Sequence, residues 1–168
     1  MKVKKMQRIR ERCGQSIQDT YLNKAAPKDN SYCNKCHAIY HNKRWHFDEN
    51  EIKSLPENHS RQKISCPACQ KIEDHFASGI VTLRGQFIKA HKQEIINLVK
   101  NAEERAMGLN PLERIIDILP NGETMQITTT HEKLAQRIGR SLHRAFSGKV
   151  AYQWSRGDKM ARVNWSRD

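Results

Sequence analysis

The chain has 168 residues and is strongly basic, with 30 Lys and Arg against 18 Asp and Glu, a net charge of +12 and a pI near 9.7. That balance favours polyanionic partners and is silent on fold. With 37% hydrophobic and 7% aromatic residues it supports modest cores that need a staple, and no apolar run approaches the roughly 18 residues of a bilayer-spanning helix.

Residues 1–30 carry a charge of +5, followed by +1 over 31–79, +2 over 80–110 and +4 over 111–168. Lys2, Lys4, Lys5, Arg8, Arg10 and Arg12 therefore predict a basic N-terminal arm over 1–30. Such a segment is either a solubilising tail or an arm that orders on nucleic acid. It lacks the apolar core of a secretory signal, and Glu11 with a thin apolar face argues against a mitochondrial presequence, so a cytoplasmic location is expected. Cys13 lies in this arm and is assigned no role.

In a reducing compartment the other cysteines read as metal ligands rather than disulfides. Cys33 and Cys36 form one CxxC in "YCNKCHAIYHNKRW", and Cys66 and Cys69 form another in "SCPACQKIED". Each CxxC turn aims two thiolates at one point, and two such turns complete a tetrahedral sulfur site, which suits zinc. With four thiolates no position stays open for water, so one structural zinc is predicted. His37 reads as a neighbour of the site rather than a ligand. The segments "HAIYHNKRWHF" and "SGIVTLRG" supply strands, giving a zinc ribbon over 31–85 that metal binding folds. Because a ribbon has little interior, Tyr40, Arg44 and Trp45 are candidates for a nucleic-acid stacking surface.

A linking helix is predicted over 86–109 from Phe87, His91, Ile95, Leu98, Val99 and Ala102, with Gly108 and Pro111 to stop it. From 110 the pattern alternates. "RIIDIL", with Ile116 and Ile118 on one side, turns at Pro120–Asn121–Gly122 into "TMQITT". Thr129 and Glu132 have capping-box spacing. The helix that follows runs to about Phe146, with Leu134, Ala135, Ile138, Leu142 and Ala145 as its apolar face. "VAYQWS" and "MARVNW", joined at Arg156–Gly157–Asp158, make a second hairpin whose Tyr152, Trp154 and Trp165 are expected in the core. The predicted fold class is α+β: a zinc ribbon, a linking helix and a small ββαββ antiparallel-sheet domain over 110–168, with the basic arm in front.

On that last helix Lys133, Arg137, Arg140 and Arg144 fall at i, i+4, i+7 and i+11. They span about 60° of the helix, opposite its apolar face. A solvated face ordinarily interleaves acids. This stripe has none, and its like-charge i,i+4 pairs cost a few tenths of a kcal/mol. It therefore reads as a phosphate-binding surface. Enzyme constellations are lacking: "RIGRSLH" does not have the spacing of a phosphate loop, and Ser141 and His143 do not face each other on a helix. No small-molecule substrate is evident.

Together the ribbon, "MQITTTHEKLAQRIGRSLHRAF" and "VAYQWSRGDKMARVNW" resemble the NMD-type ribosome-associated family, whose archaeal and eukaryotic members are adaptors binding the large ribosomal subunit. Over about 31–168 the chain is more closely similar to small bacterial proteins that share "YCNKCHAIYHNKRW", "CPAC", "GIVTLRGQF" and "PLERI". The wider family has a strand ending in Ser or Thr, then a helix with a small residue near its start and aliphatics behind, and Thr128, Ala135, Ile138 and Leu142 match that pattern. The adaptors' additional CxxC pairs, C-terminal domains and export signals have no counterpart here, so an export role does not carry over. The resemblance implies contact with the ribosome or rRNA, in subunit assembly or stress-time protection (hibernation), by a protein that is not an enzyme. A DNA-binding zinc-ribbon regulator and a protein-interaction adaptor are the alternatives.

Overall fold

The computed structural model describes residues 21, 25–47, 50, 53, 61–155, 157 and 159–168. The basic residues expected in the arm (Lys2, Lys4, Lys5, Arg8, Arg10 and Arg12), Cys13, and the turn residues Arg156 and Asp158 lie outside the described residues. Helices and two mixed sheets make the fold α+β.

The first sheet is small: β1 (Ser31–Cys33), β2 (Ile39–His41), β3 (Arg44–His46) and β4 (Lys63–Ile64), in the order β3-β2-β1-β4. Asn42 and Lys43 both adopt positive φ, 49° and 62°, which is what a two-residue hairpin turn between β2 and β3 requires. β4 runs parallel to β1, with Cys33 opposite Ile64, and so delivers the second CxxC beside the first. α1 (Pro67–Glu73) starts at that CxxC, where Pro67 occupies the first turn and needs no N–H partner.

The second sheet holds five strands: β5 (Gly79–Arg84), β6 (Ile115–Asn121), β7 (Thr124–Thr129), β8 (Lys149–Trp154) and β9 (Ala161–Ser166), in the order β6-β7-β5-β9-β8. Here the structure corrects the predicted layout. "GIVTLR" is not a ribbon strand. It is the central strand of the second sheet, antiparallel to β7 and parallel to β9, so this sheet is mixed rather than purely antiparallel. The reason is packing: Val81 and Leu83 are fully buried on the helix-covered face, and a metal knuckle has no such interior to offer them.

α2 (Gln86–Ala90), α3 (Lys92–Leu109) and α4 (Glu132–Phe146) cover that face. The region expected to link two units is therefore half of the helical layer. Ile95, Val99, Ala102 and Ala106 of α3 are buried in the same core as Leu134, Ala135, Ile138 and Leu142 of α4. Ala145, expected on α4's apolar face, is exposed, and Phe146 packs against the core instead. The N-cap of α4 is His131, whose side chain accepts from the Lys133 N–H. No capping box forms, because the Thr129 hydroxyl donates to the His131 carbonyl. A register shift between Ile115 and Asp117 moves the inward positions of β6 to Ile115 and Ile118 rather than Ile116 and Ile118. The β6–β7 turn falls at Gly122 and Glu123, one residue later than predicted, with Gly122 at φ +60°. Trp165 is sealed in the core as expected and Tyr152 packs against it, but Trp154 is 59% exposed. Among the described residues no helix is long and apolar enough to cross a membrane.

Candidate metal centre and cationic cleft

Cys33 ends β1, Cys36 lies in the turn after it, Cys66 caps α1 and Cys69 sits in that helix's first turn. The fold brings the four Sγ atoms within 4.8 Å of one another. Cys33 and Cys69 are 3.7 Å apart, as are Cys36 and Cys66. A tetrahedron with metal–sulfur bonds of about 2.3 Å has edges of about 3.8 Å, so the spacing fits a four-thiolate ion. Backbone donors already point at two sulfurs, Cys66 N–H to Cys33 at 3.3 Å and Cys69 N–H to Cys66 at 3.4 Å. Arg114 Nη1 donates to Cys69 from 3.6 Å. Donors converging on sulfur favour thiolate over thiol. The set is a candidate metal centre, closed by its own ligands. His37 is exposed and outside the cluster, at φ 62°.

Crowding governs the thiols in the absence of a cation. The hydrogen bond with Cys66 pulls Cys36 down to about 5, and the same bond, with burial, pushes Cys66 up. Burial chiefly holds Cys69 at about 11. A bound cation overrides this division, since every ligand must then be deprotonated.

Trp45 is not available as a stacking surface. It is only 9% exposed, packs with the cysteine cluster, and meets Tyr40 edge-on at a centroid distance of 5.4 Å. Tyr40 is half-buried by that contact, and Arg44 alone of the three is exposed. The ribbon has an interior after all, built of the thiols, the Trp45 indole and the side chains of Ala38, Ile39 and Ala68.

The centre is tied to the second sheet. Leu112 packs against the cysteine cluster and Arg114 reaches Cys69. Thr130 holds this segment in place: it donates through N–H to the Arg114 carbonyl and through its hydroxyl to the Leu112 carbonyl, and the hydroxyl accepts from Arg114 N–H. From α1, the buried Lys71 donates to Ser78 Oγ and the Thr130 carbonyl. Sequence reasoning missed Leu112, Arg114 and Lys71, because "PLERI" and "CQKIED" carry no spacing that marks a contact across sheets.

The α4 stripe lies along a cleft of about 790 Å³ between α3 and α4. Arg137, Arg140 and Arg144 line it from α4, and Arg105 faces them from α3. Lys133, exposed at the start of α4, is not among the residues lining it. The stripe does meet acid, though not from its own helix. Glu113, 2% exposed, has Oε2 3.4 Å from Arg137 Nε. Glu94 is the carboxylate in the cleft lining. Among the described residues Arg105, Arg140 and Arg144 make no salt bridge. Arg105 was missed because the charge count treated α3 as a linker. Comparison with protein-family models, curated proteins and solved structures gives no match for this chain.

Proposed function

We propose that this chain is a zinc-stabilised, non-enzymatic RNA-binding protein that acts on the ribosome, in subunit assembly or stress-time protection. One observation carries the reading: Arg105, Arg140 and Arg144, which make no salt bridge among the described residues, converge on one cleft, and Arg137 joins them held by Glu113. Like charges gathered this way repel one another in the free protein and are relieved by a polyanion. Planar guanidinium groups, rather than ammonium groups, suit bidentate contact with phosphate. The resemblance to ribosome-associated adaptors supports rRNA as the polyanion, and the four-thiolate donor set supports zinc, as tetrahedral sulfur sites do generally.

Sedimentation of the tagged chain through sucrose gradients of lysate, at two salt concentrations and from growing and starved cells, tests this. Co-migration with one subunit supports assembly, and co-migration with whole ribosomes in starved cells supports protection. Either is expected to weaken steeply with salt, by ~0.7–0.9 log units per log unit of salt for each phosphate contacted. A chain that stays at the top of the gradient at low salt, and that prefers duplex DNA to rRNA fragments in competition, would be a DNA-binding regulator instead.

A further inference from the structure

The arginine cleft is not uniform along its length. Phe87 of α2, just before α3, packs on Phe146 at the end of α4 with centroids 5.4 Å apart, and Glu113, just after α3, meets Arg137 near the start of α4. The two helices are therefore antiparallel, and the residues lining the cleft fall in a definite order. Arg105 and Arg137 stand at one end. Arg140 and Ser141 come next, opposite Asn101, and Arg144 closes the other end opposite Glu94 and Asn97. At 1.5 Å per residue, Glu94 and Arg105 are about 16 Å apart along α3, which leaves room for a phosphate at one end and a base at the other.

A track for phosphates alone is cationic on both walls. Here α4 supplies three arginines, whereas α3 supplies Arg105 and then turns to amides and an acid. Glu94 is exposed, and its Oε1 shares a hydrogen bond of 3.0 Å with His91 Nδ1, which steadies the carboxylate. A carboxylate repels phosphate but accepts from the amino group of a base. Beside it, Asn97 Oδ1 already accepts from Gln93 Nε2 at 2.9 Å, which leaves the Asn97 amide N–H groups to donate. Asn101 and Ser141 use no side-chain hydrogen bond among the described residues. Between the walls lie Leu98, Ala102 and Ala145, an apolar surface for a planar ring, and guanidinium planes are themselves stacking partners for bases. The carboxylate suits the exocyclic amine of cytosine or adenine, and amide N–H groups suit the ring nitrogen beside it. Uracil turns an oxygen toward the carboxylate instead.

We propose that the cleft binds one unpaired nucleotide with an amino-bearing base, its phosphate on Arg105, Arg137 and Arg140 and its base at the Glu94 and Asn97 end. The inference rests on the RNA-binding reading and narrows it, because a base held in a duplex has its amino group already engaged. The nucleotide belongs to an RNA strand or is free in solution, and the test separates the two. It is calorimetric titration of the full chain, at low salt, with ten-nucleotide oligocytidylate and oligouridylate, a blunt RNA duplex, and cytidine monophosphate alone. Oligocytidylate should bind about 5- to 150-fold more tightly than oligouridylate, the discrimination of one well-made base contact. Glu94→Ala tests the base end by the sign of its effect. Removing an acid from among arginines tightens a plain phosphate track for every RNA. Here it should weaken oligocytidylate and close the gap to oligouridylate, while the duplex should not weaken. Arg105→Met should weaken both single strands alike. Oligocytidylate that binds no better than oligouridylate, with Glu94→Ala tightening both, overturns the base site and leaves RNA binding standing. If no RNA binds, the RNA reading falls. Glu94-dependent binding of cytidine monophosphate then makes the ligand a free nucleotide, and its absence overturns the proposal too.

Discussion

Among the four sulfurs position decides reactivity, and Cys36 differs from the rest. Cys33 and Cys66 are 0% exposed and Cys69 is 6% exposed, while Cys36 is half-buried at the rim of the knuckle. Its hydrogen bond with Cys66 also lowers its pKa to about 5, which favours the thiolate. Alkylation needs both access and thiolate. In metal-free protein, therefore, iodoacetamide should label Cys36 well before Cys33, Cys66 or Cys69, and labelling should persist at pH 6.5, where an ordinary thiol slows. Bound metal should protect all four. Peptide mapping by mass spectrometry separates these sites from Cys13; equal labelling of the four would mean that the preformed geometry collapses without the ion.

At the scale of elements, the segment from Leu112 to Arg114 does the most with the fewest residues. Its two ends touch the cysteine cluster and its middle residue, Glu113, touches Arg137 of the cleft. Arg114 is a neighbour of the candidate metal ligands rather than one of them, and such neighbours typically alter metal affinity by 10- to 100-fold. Arg114→Met keeps the stem and removes the donor to Cys69. It should loosen the metal by about that factor in competition with a chromophoric chelator, whereas Arg105→Met should leave it unchanged. This segment also marks where the sequence stops being legible. The CxxC pairs, the α3 and α4 periodicities and both hairpins could be read, because each is a local pattern with a local cause. The membership of β5 could not. Its alternation is equally good for either sheet, and only the burial of Val81 and Leu83 against helices far along the chain decides it. Trp154 failed for the same reason: alternation gives the face of a strand, but the height of the helix above it is set by Gly79 and Ala135.

For the molecule as a whole, the two sheets have unequal means of support. Among the described residues, fifteen buried apolar side chains from strands and helices form the core over the second sheet. In the ribbon, Ile39 and Trp45 are the only large apolar side chains sealed among the described residues. Each contributes roughly 1.5–3 kcal/mol, against about 1–2 kcal/mol of backbone entropy for every residue ordered. The cysteine cluster is what can supply the difference, so a metal bound there would contribute folding energy. A strong chelator should then unfold the ribbon and leave the five-stranded sheet standing. Hydrogen exchange should rise across 31–46 and 61–73 while β5, β7, β9 and α4 stay protected. Trp45 emission should shift red, and Trp165, whose indole N–H donates to the Ser147 carbonyl at 2.8 Å, should not move. The ties between the sheets (Arg114 to Cys69, Lys71 to Thr130, His75 to Asp117) argue for some loss of stability in the second sheet as well. Among the described residues these three are polar and Leu112 adds one apolar contact with the cysteine cluster, and the exposed His75–Asp117 contact is worth at most about 1 kcal/mol. If chelation removed protection from both sheets together, those ties would be strong enough to make the chain one cooperative unit, and metal loss would disable the arginine cleft along with the knuckle.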